Sequence, residues 1–427
     1  MNIHIRSGRL IDPANGIDRL ADVFVGAGRI VGIDQAPPGF EASGTVDASG
    51  CIVCPGLVDL SARLREPGYE YRATLESEMA AAAAGGVTSL ACPPDTDPPL
   101  DEPGLVEMLK HRARLPEFAH VYPVGALTLR LAGERLTEMA QLAESGCVAF
   151  GQANTAIVDT QVLLSAMQYA ATFGFPVWLQ AQDPFLAKNG VAHDGEVATR
   201  LGLTGIPVVA ETIALTTILQ LARETGAQVH LTRISSAAGL EMIAAARRSG
   251  IAASCDVAIH HLHLCDHDVG HFNTNARLDP PLRAQSDRDA LRRGLADGTI
   301  NAVCSDHTPV DDDAKQTPFD EAEAGATGLE LLLPLTLKWA GEMKLPLLRA
   351  LARVTCDPAR ILGIEAGSLT VGAPADICVF DPQAAVRVSR ESLKSQGKNT
   401  PFIGLELHGR VRYTLIDGYL AFSTAFG

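Results

Sequence analysis

The sequence predicts an α/β protein: a closed (β/α)8 barrel carrying a small β-sandwich domain built from both chain ends. Three observations predict it. Between residues 52 and 309, eight short apolar runs alternate with helical stretches. The residues before 55 and after 365 read instead as short strands and turns. Hydrophobic residues make up 47% of the 427, against 20% charged, which supplies apolar surface for one large core and a smaller one. The expected division is 1–54 and 366–427 for the β domain and 55–365 for the barrel.

From residue 2 to 55, Gly8, Asp12-Pro13, Gly26, Gly28 and Pro37-Pro38-Gly39 punctuate the chain, and helical periodicity is weak. GAGRIVG near residue 26 is expected to be a turn between strands rather than a nucleotide-binding loop, since it does not follow a strand and open a helix. The eight runs are IVCPGLVDL, VTSLACPP, HVYPVGAL, CVAFGQA, PVWLQAQ, QVHLTRIS, IAASCDVAI and INAVCSDHTP. In such a barrel functional groups stand at the C-terminal ends of the strands, so the last residues of each run are where chemistry is sought. ATLESEMAAAAAGG and AAGLEMIAAARRSG are expected helices between strands, and the run Ala80 to Ala84 requires nothing beyond helix propensity. Arg247-Arg248 and Arg292-Arg293, each followed by Gly within two residues, are expected at helix C-termini, where cations meet the negative end of the dipole. SLTVGAPADICVFDP and ELHGRVRYTLIDGYLAF then return to strand and turn.

A net charge of −15 repels polyanions, so nucleic acid is not an expected partner. No stretch of about 18 uniformly apolar residues suggests a membrane span, and MNIHIRSGRLID has neither the basic nor the apolar part of a secretion signal. The nine cysteines are odd in number and irregularly spaced, as expected of reduced thiols in a cytoplasmic protein. Cys51 and Cys54 form a C-x-x-C inside an apolar run, where buried thiols are expected rather than redox or zinc chemistry. There is no G-x-S-x-G and no P-loop, and no His lies next to Ser61 in the chain to serve it as a base.

SGRLIDP, PGLVDLSARLREPG, PPDTDPP, NARLDPPLR, CSDHTP and GSLTVGAPADICVFDP together resemble dihydroorotase, nearly from end to end. The resemblance implies a TIM-like barrel of the amidohydrolase type and a binuclear zinc centre whose water opens or closes a cyclic amide. It implies ligands from a His-x-His after strand 1, an acidic or carbamylated-lysine group after strand 4, one His each after strands 5 and 6, and an Asp after strand 8. This chain departs from that set. Ser61-Ala62-Arg63 stands for His-x-His, with Leu64-Arg65-Glu66-Pro67-Gly68 keeping the register; Gln152 and Ala153 follow strand 4, Gln180 strand 5 and Arg233 strand 6. Only Asp306 remains. A guanidinium only donates hydrogen bonds and keeps its proton. A divalent ion about 4 Å from one such charge would meet repulsion of roughly 8 kcal/mol at an effective dielectric near 20. Zinc is therefore not expected at these positions.

By the same resemblance Arg65 and Asn275 match substrate-carboxylate positions, whereas Asp95 replaces an Asn and Val310 a His. Asp95 is expected to repel an anionic substrate. Arg63 and Arg233 beside Asp306 read as an internal ion pair filling the emptied pocket, with a new anion site as the alternative. The run from His260 to His267 is the remaining concentration of soft ligands, though His260 and His261 match a non-ligand His-His of the family; His307 and His230 are expected to be packed and hydrogen-bonded. The family also contains chains without metal ligands that assemble with the catalytic chain of aspartate transcarbamoylase, and the resemblance implies that role here, with self-association inside the hetero-oligomer. A residual or altered cyclic amidohydrolase and an anion- or nucleotide-binding regulatory module are the alternatives.

Overall fold

The computed structural model describes residues 2–115 and 117–424. The chain opens with β1 (Ile3–Asp12), β2 (Ile17–Gly26), β3 (Arg29–Ile33), β4 (Gly44–Asp47) and β5 (Ile52–Pro55). Barrel strands follow: β6 (Leu57–Asp59), β7 (Val87–Cys92), β8 (His120–Ala126), β9 (Ala149–Gly151) and β10 (Val177–Gln180). A two-stranded ladder of β11 (Ala192–His193) and β12 (Gly205–Ile206) stands outside the barrel, which continues with β13 (Val229–Thr232), β14 (Ala253–Ala258) and β15 (Ala302–Cys304). The chain returns through β16 (Ile377–Arg387), β17 (Glu406–Ile416) and β18 (Tyr419–Ser423).

The eight barrel strands pair in parallel in the order β15-β14-β13-β10-β9-β8-β7-β6. They are short because each contributes only one or two inward layers before the chain must leave for a helix. The ring closes beyond the strands themselves, by a parallel bridge between Ala62 and His307 in which Arg63 N–H donates to His307 O at 2.9 Å and His307 N–H to Ser61 O at 3.0 Å. This seam lies where the first and eighth strands deliver their functional positions.

The chain-end strands form one mixed sheet in the order β18-β17-β16-β5-β1-β2-β3, with β4 also paired to β1. The small β domain is thus continuous in its hydrogen bonding. The run IVCPGLVDL belongs to both parts: β5 pairs β16 in the sheet and β6 pairs β7 in the barrel. Gly56 makes the passage, because a Cβ there would lie 2.1 Å from Thr88 Oγ1.

The main apolar cores follow from this plan. Outward-facing barrel residues such as Leu57, Leu90, Val177 and Leu231 pack against helices through Met79, Leu142, Met167 and Leu215. Inward residues Val58, Val124, Trp178 and Cys304 fill the barrel, closed below by Ala359 and Leu362. Ile5, Leu10, Val23, Ile377 and Leu415 form the core of the small sheet. Helix ends obey local chemistry: Thr74 and Ser77 cap helix Leu75–Ala84 reciprocally, and left-handed glycines end the helices at Gly146, Gly174, Gly226 and Gly363. Arg247 and Arg248 lie in the last turn of their helix, as expected. Arg292 and Arg293 do not. Their helix runs Gln285–Asp297, past Gly294, where glycine is required by packing because a Cβ would lie 2.4 Å from Leu240 Cδ2, and Arg292 pairs with Glu342 at 2.7 Å. All nine cysteines are free, and Cys54 faces Cys378 across β5 and β16. Among the described residues no helix is long and apolar enough to cross a membrane.

Candidate functional site

At the C-terminal mouth of the barrel, side chains from six strand ends and one loop converge. Arg63 follows β6, Asp95 follows β7, Asn154 follows β9, Gln180 ends β10, Arg233 follows β13, Asp306 follows β15, and Asp279 arrives on the loop after β14. The two arginines occupy the centre. Arg63 donates from Nε to Asp95 Oδ2 at 2.7 Å, from Nη1 to Thr308 Oγ1 at 2.9 Å and Asp306 Oδ1 at 3.4 Å, and from Nη2 to Asn154 Oδ1 at 2.8 Å. Arg233 donates from Nη1 to Asp306 Oδ1 at 3.0 Å and from Nη2 to Asn154 Oδ1 at 2.7 Å and Gln180 Oε1 at 2.8 Å. Asp279 accepts from the amides of Asn154 and Gln180 at 2.8 and 3.1 Å, fixing their oxygens toward the guanidiniums.

Two guanidiniums face three carboxylates in this pocket, Asp95, Asp279 and Asp306. Arg63 and Arg233 are 5% and 4% exposed, so each cation has left water and must be repaid by partners. Burial works against the charge on Arg63, but Asp95 and Asp306 outweigh it and hold its pKa above the ordinary arginine value. For Asp95, burial alone would raise the carboxyl pKa; the neighbouring Arg63, and then Arg65 and Arg233, bring it below normal. The charge of Asp95 is committed to Arg63 inside the site. Arg65 differs from both. Its pKa is pushed down to about 10 by burial and by Arg63, and its Nε donates to Pro309 O at 2.8 Å.

The other sequence-derived positions lie around this network. Ser61 is buried and gives its carbonyl to the barrel seam. Gln152 turns away to Thr128 Oγ1 at 2.7 Å, and Ala153 supplies no polar group. Asn275 is half-buried with its backbone N–H on Asn273 Oδ1, and buried Val310 gives its N–H to Asn399 Oδ1. Among the described residues no hydrogen bond joins Arg65, Asn275 or Val310 to the arginine network. Asn154 and Asp279 are the functional positions that sequence reading missed. The available signal was charge counting, since two buried cations beside one carboxylate call for further acceptors, and Asp279 stands inside the NARLDPPLR motif.

Backbone geometry marks the same places. Arg65, Ala153, Arg233 and Asp306 all have positive φ, at 63°, 49°, 55° and 46°. Non-glycine residues enter this region at a cost of about 1–3 kcal/mol, and such residues cluster where the chain must aim side chains into a site. Four such residues stand at one barrel mouth.

The histidines are structural in their contacts. His307 accepts at Nδ1 from the N–H of Gly328 at 3.1 Å and so carries its proton on Nε2, which donates to buried Glu78. His230 bridges Ser254 Oγ and Asp256 Oδ2 at 2.7 and 2.9 Å beneath Trp178. Among the described residues one group of three brings metal-ligating atoms within 4.8 Å of one another, and it lies away from the barrel mouth and from the His260–His267 run.

His260 and His261 are pushed down to about 4 by burial, so both are neutral in the fold. The unfolded chain takes up their protons below about pH 6.5, so the stability they allow is complete above that pH and declines as the pH falls toward 4. His260→Leu removes one such group. Its unfolding midpoint in urea is expected to fall less than that of the wild type between pH 7.5 and 5, by up to about 2 kcal/mol in stability. A steeper fall in the variant would contradict the assignment.

Residues 50–238 match the family model described as Dihydro-orotase-like. The chain is 46% identical to a dihydroorotase-like protein of Pseudomonas aeruginosa, over 98% of this chain and 99% of that one. It is 38% identical to a dihydroorotase of Geobacter sp., over 99% of both. Among solved structures, an L-hydantoinase (dihydropyrimidinase) from Arthrobacter aurescens superposes with a TM-score of 0.87 at 24% identity, over 98% of this chain and 95% of that one, a likeness of fold.

Proposed function

The chain belongs to the dihydroorotase-like family, and from that premise we propose that it is a non-catalytic member that assembles with and supports the catalytic chain of aspartate transcarbamoylase in de novo pyrimidine biosynthesis. The observation that carries the first half is the placement of Arg63 Nη1 and Arg233 Nη1 at 3.4 and 3.0 Å from Asp306 Oδ1. A zinc pair would need neutral imidazoles and anionic oxygens around Asp306. The side chains present are two guanidiniums, the amides of Asn154 and Gln180, and three carboxylates already engaged by them: Asp306 bonded to both arginines, Asp95 to Arg63 and Asp279 to the two amides. That set does not fit a binuclear zinc centre, and no hydrolytic step is derived through one.

The second half rests on the family resemblance together with the retention of the fold. A barrel whose mouth is closed by its own ion pairs, yet which keeps its strained strand ends, is maintained for a property other than turnover. Assembly provides one: a partner that binds only the competent transcarbamoylase oligomer stabilises it by mass action. Self-association within that complex belongs to the same proposal. The internal pairing weighs against an anion-binding module, because a ligand would have to displace Asp95 or Asp306 to reach either central arginine.

Co-expression with the transcarbamoylase catalytic chain of the same organism tests this reading. Carbamoyl-aspartate formation is expected to rise roughly 5- to 150-fold when both chains are present, the span of ordinary coupling free energies, and both are expected in one large complex. Equal activity with and without this chain would overturn the assembly role, and dihydroorotate turnover by the chain alone would overturn the non-catalytic reading.

A further inference from the structure

We propose a divalent-cation site at the seam between barrel and small sheet, formed by His120, Asp376 and Asp417. It lies at the opposite end of the barrel from the arginine network. His120 opens β8, Asp376 immediately precedes β16, and Asp417 occupies the turn between β17 and β18. Three segments distant in sequence thus meet at one point.

The geometry is that of a ligand set. His120 Nε2 lies 3.3 Å from Asp376 Oδ2 and 3.7 Å from Asp417 Oδ2. Ligand atoms at the usual zinc distances of about 2.0–2.2 Å, spread tetrahedrally, stand roughly 3.3–3.6 Å apart. The two His120 distances match that spacing closely, and all three ligand atoms lie within 4.8 Å of one another. Asp376 is 5% exposed and aims Oδ2 into the gap, while its Oδ1 accepts the N–H of Asp417 at 2.9 Å. That bond orients the buried carboxylate in the way an outer partner orients a metal ligand. Asp417 has φ 46° and precedes Gly418 at φ 72°, so the turn itself holds its carboxylate over His120.

Charge and access agree. Two carboxylates and one imidazole present two negative charges: a proton on His120 offsets one, whereas a divalent cation offsets both. The side chain of Asp417 is 55% exposed, and a surface cleft of about 320 Å³ lined by His120, Tyr122 and Asp417, with Lys110 and Arg114 also on its wall, leads in from solvent. An imidazole beside carboxylates favours zinc or manganese over magnesium and calcium. Such an ion would tie the β17–β18 turn and the start of β16 to the third barrel strand.

The test is zinc content of the full chain after equilibration with excess zinc and dialysis, together with thermal unfolding with and without zinc. About one zinc per chain and a rise of about 2–3 °C in Tm are expected for the wild type. Both are expected to be lost in His120→Ala and in Asp417→Asn, the latter keeping a residue type suited to the turn, and to survive in Asp306→Asn. No retained zinc, or zinc that persists in the first two variants, would overturn the site. Zinc lost in Asp306→Asn would overturn it as well and place the ion at the barrel mouth.

Discussion

Arg233→Ala is expected to cost about 3–5 kcal/mol of folding stability, the range for removing one partner from a buried ion pair. The substitution leaves Asp306, 4% exposed, with Arg63 alone at 3.4 Å, and strands the oxygens that Gln180 and Asn154 now offer to Arg233. Replacing Arg63, Arg233, Asp95 and Asp306 together by uncharged side chains of similar volume is expected to cost far less than the sum of the single changes, because desolvation is then removed along with attraction. Urea unfolding of the single and combined variants measures both. A loss below about 1 kcal/mol for Arg233→Ala would mean that water enters the mouth freely and screens the network.

The second large effect is expected at Glu78, on helix Leu75–Ala84. Its carboxylate is fully buried and accepts from His307 Nε2, from Ser395 Oγ at 2.8 Å, from Ser77 Oγ at 2.7 Å and from the N–H of Gln396 at 3.1 Å. Burial alone would raise its pKa, yet the His307 bond and the serine hydroxyls bring it below the ordinary glutamate value. Glu78→Ala is expected to cost about 3 kcal/mol or more, since four donors lose a charged acceptor at once. The sign with pH follows from the depressed pKa: stabilisation is present above the unfolded value near 4.3 and is lost as the pH falls through the folded one. The stability gap between wild type and Glu78→Gln should therefore close on acidification, as read from urea midpoints at pH 7 and pH 3.5. A gap that widens toward acid would show that the carboxylate is protonated in the fold.

Glu78 also shows why part of the site was not legible. In the sequence it is one acidic residue in an alanine-rich helix, and His307 is a neighbour of Asp306 expected to be packed and hydrogen-bonded but with no partner in view. Their pairing spans 229 residues. The barrel, in contrast, could be read from local signals: alternating apolar runs, helical stretches between them, and turn residues at their ends. The misreading of Arg292-Arg293 has the same origin, for Gly294 resembles a helix stop until Leu240 is known to press against it. Asn154 escaped notice because an amide after a strand has no signature until two guanidiniums point at its oxygen.

What the sequence by itself determined is the fold class and the chemical identity of each strand-end position. Ser61, Arg63, Gln180 and Arg233 cannot become imidazoles in any packing, so composition and register alone decide that these positions offer none. Only the tertiary structure decided what those residues do instead. It paired Arg63 with Asp95 as well as with Asp306, 243 residues away, it turned Gln152 aside, and it held Arg65, Ala153, Arg233 and Asp306 in left-handed backbone. The physical reason is range. Hydrophobic periodicity and turn chemistry act over a few neighbouring residues, whereas the partner of a buried charge is whichever group the closing of the barrel brings within about 3 Å.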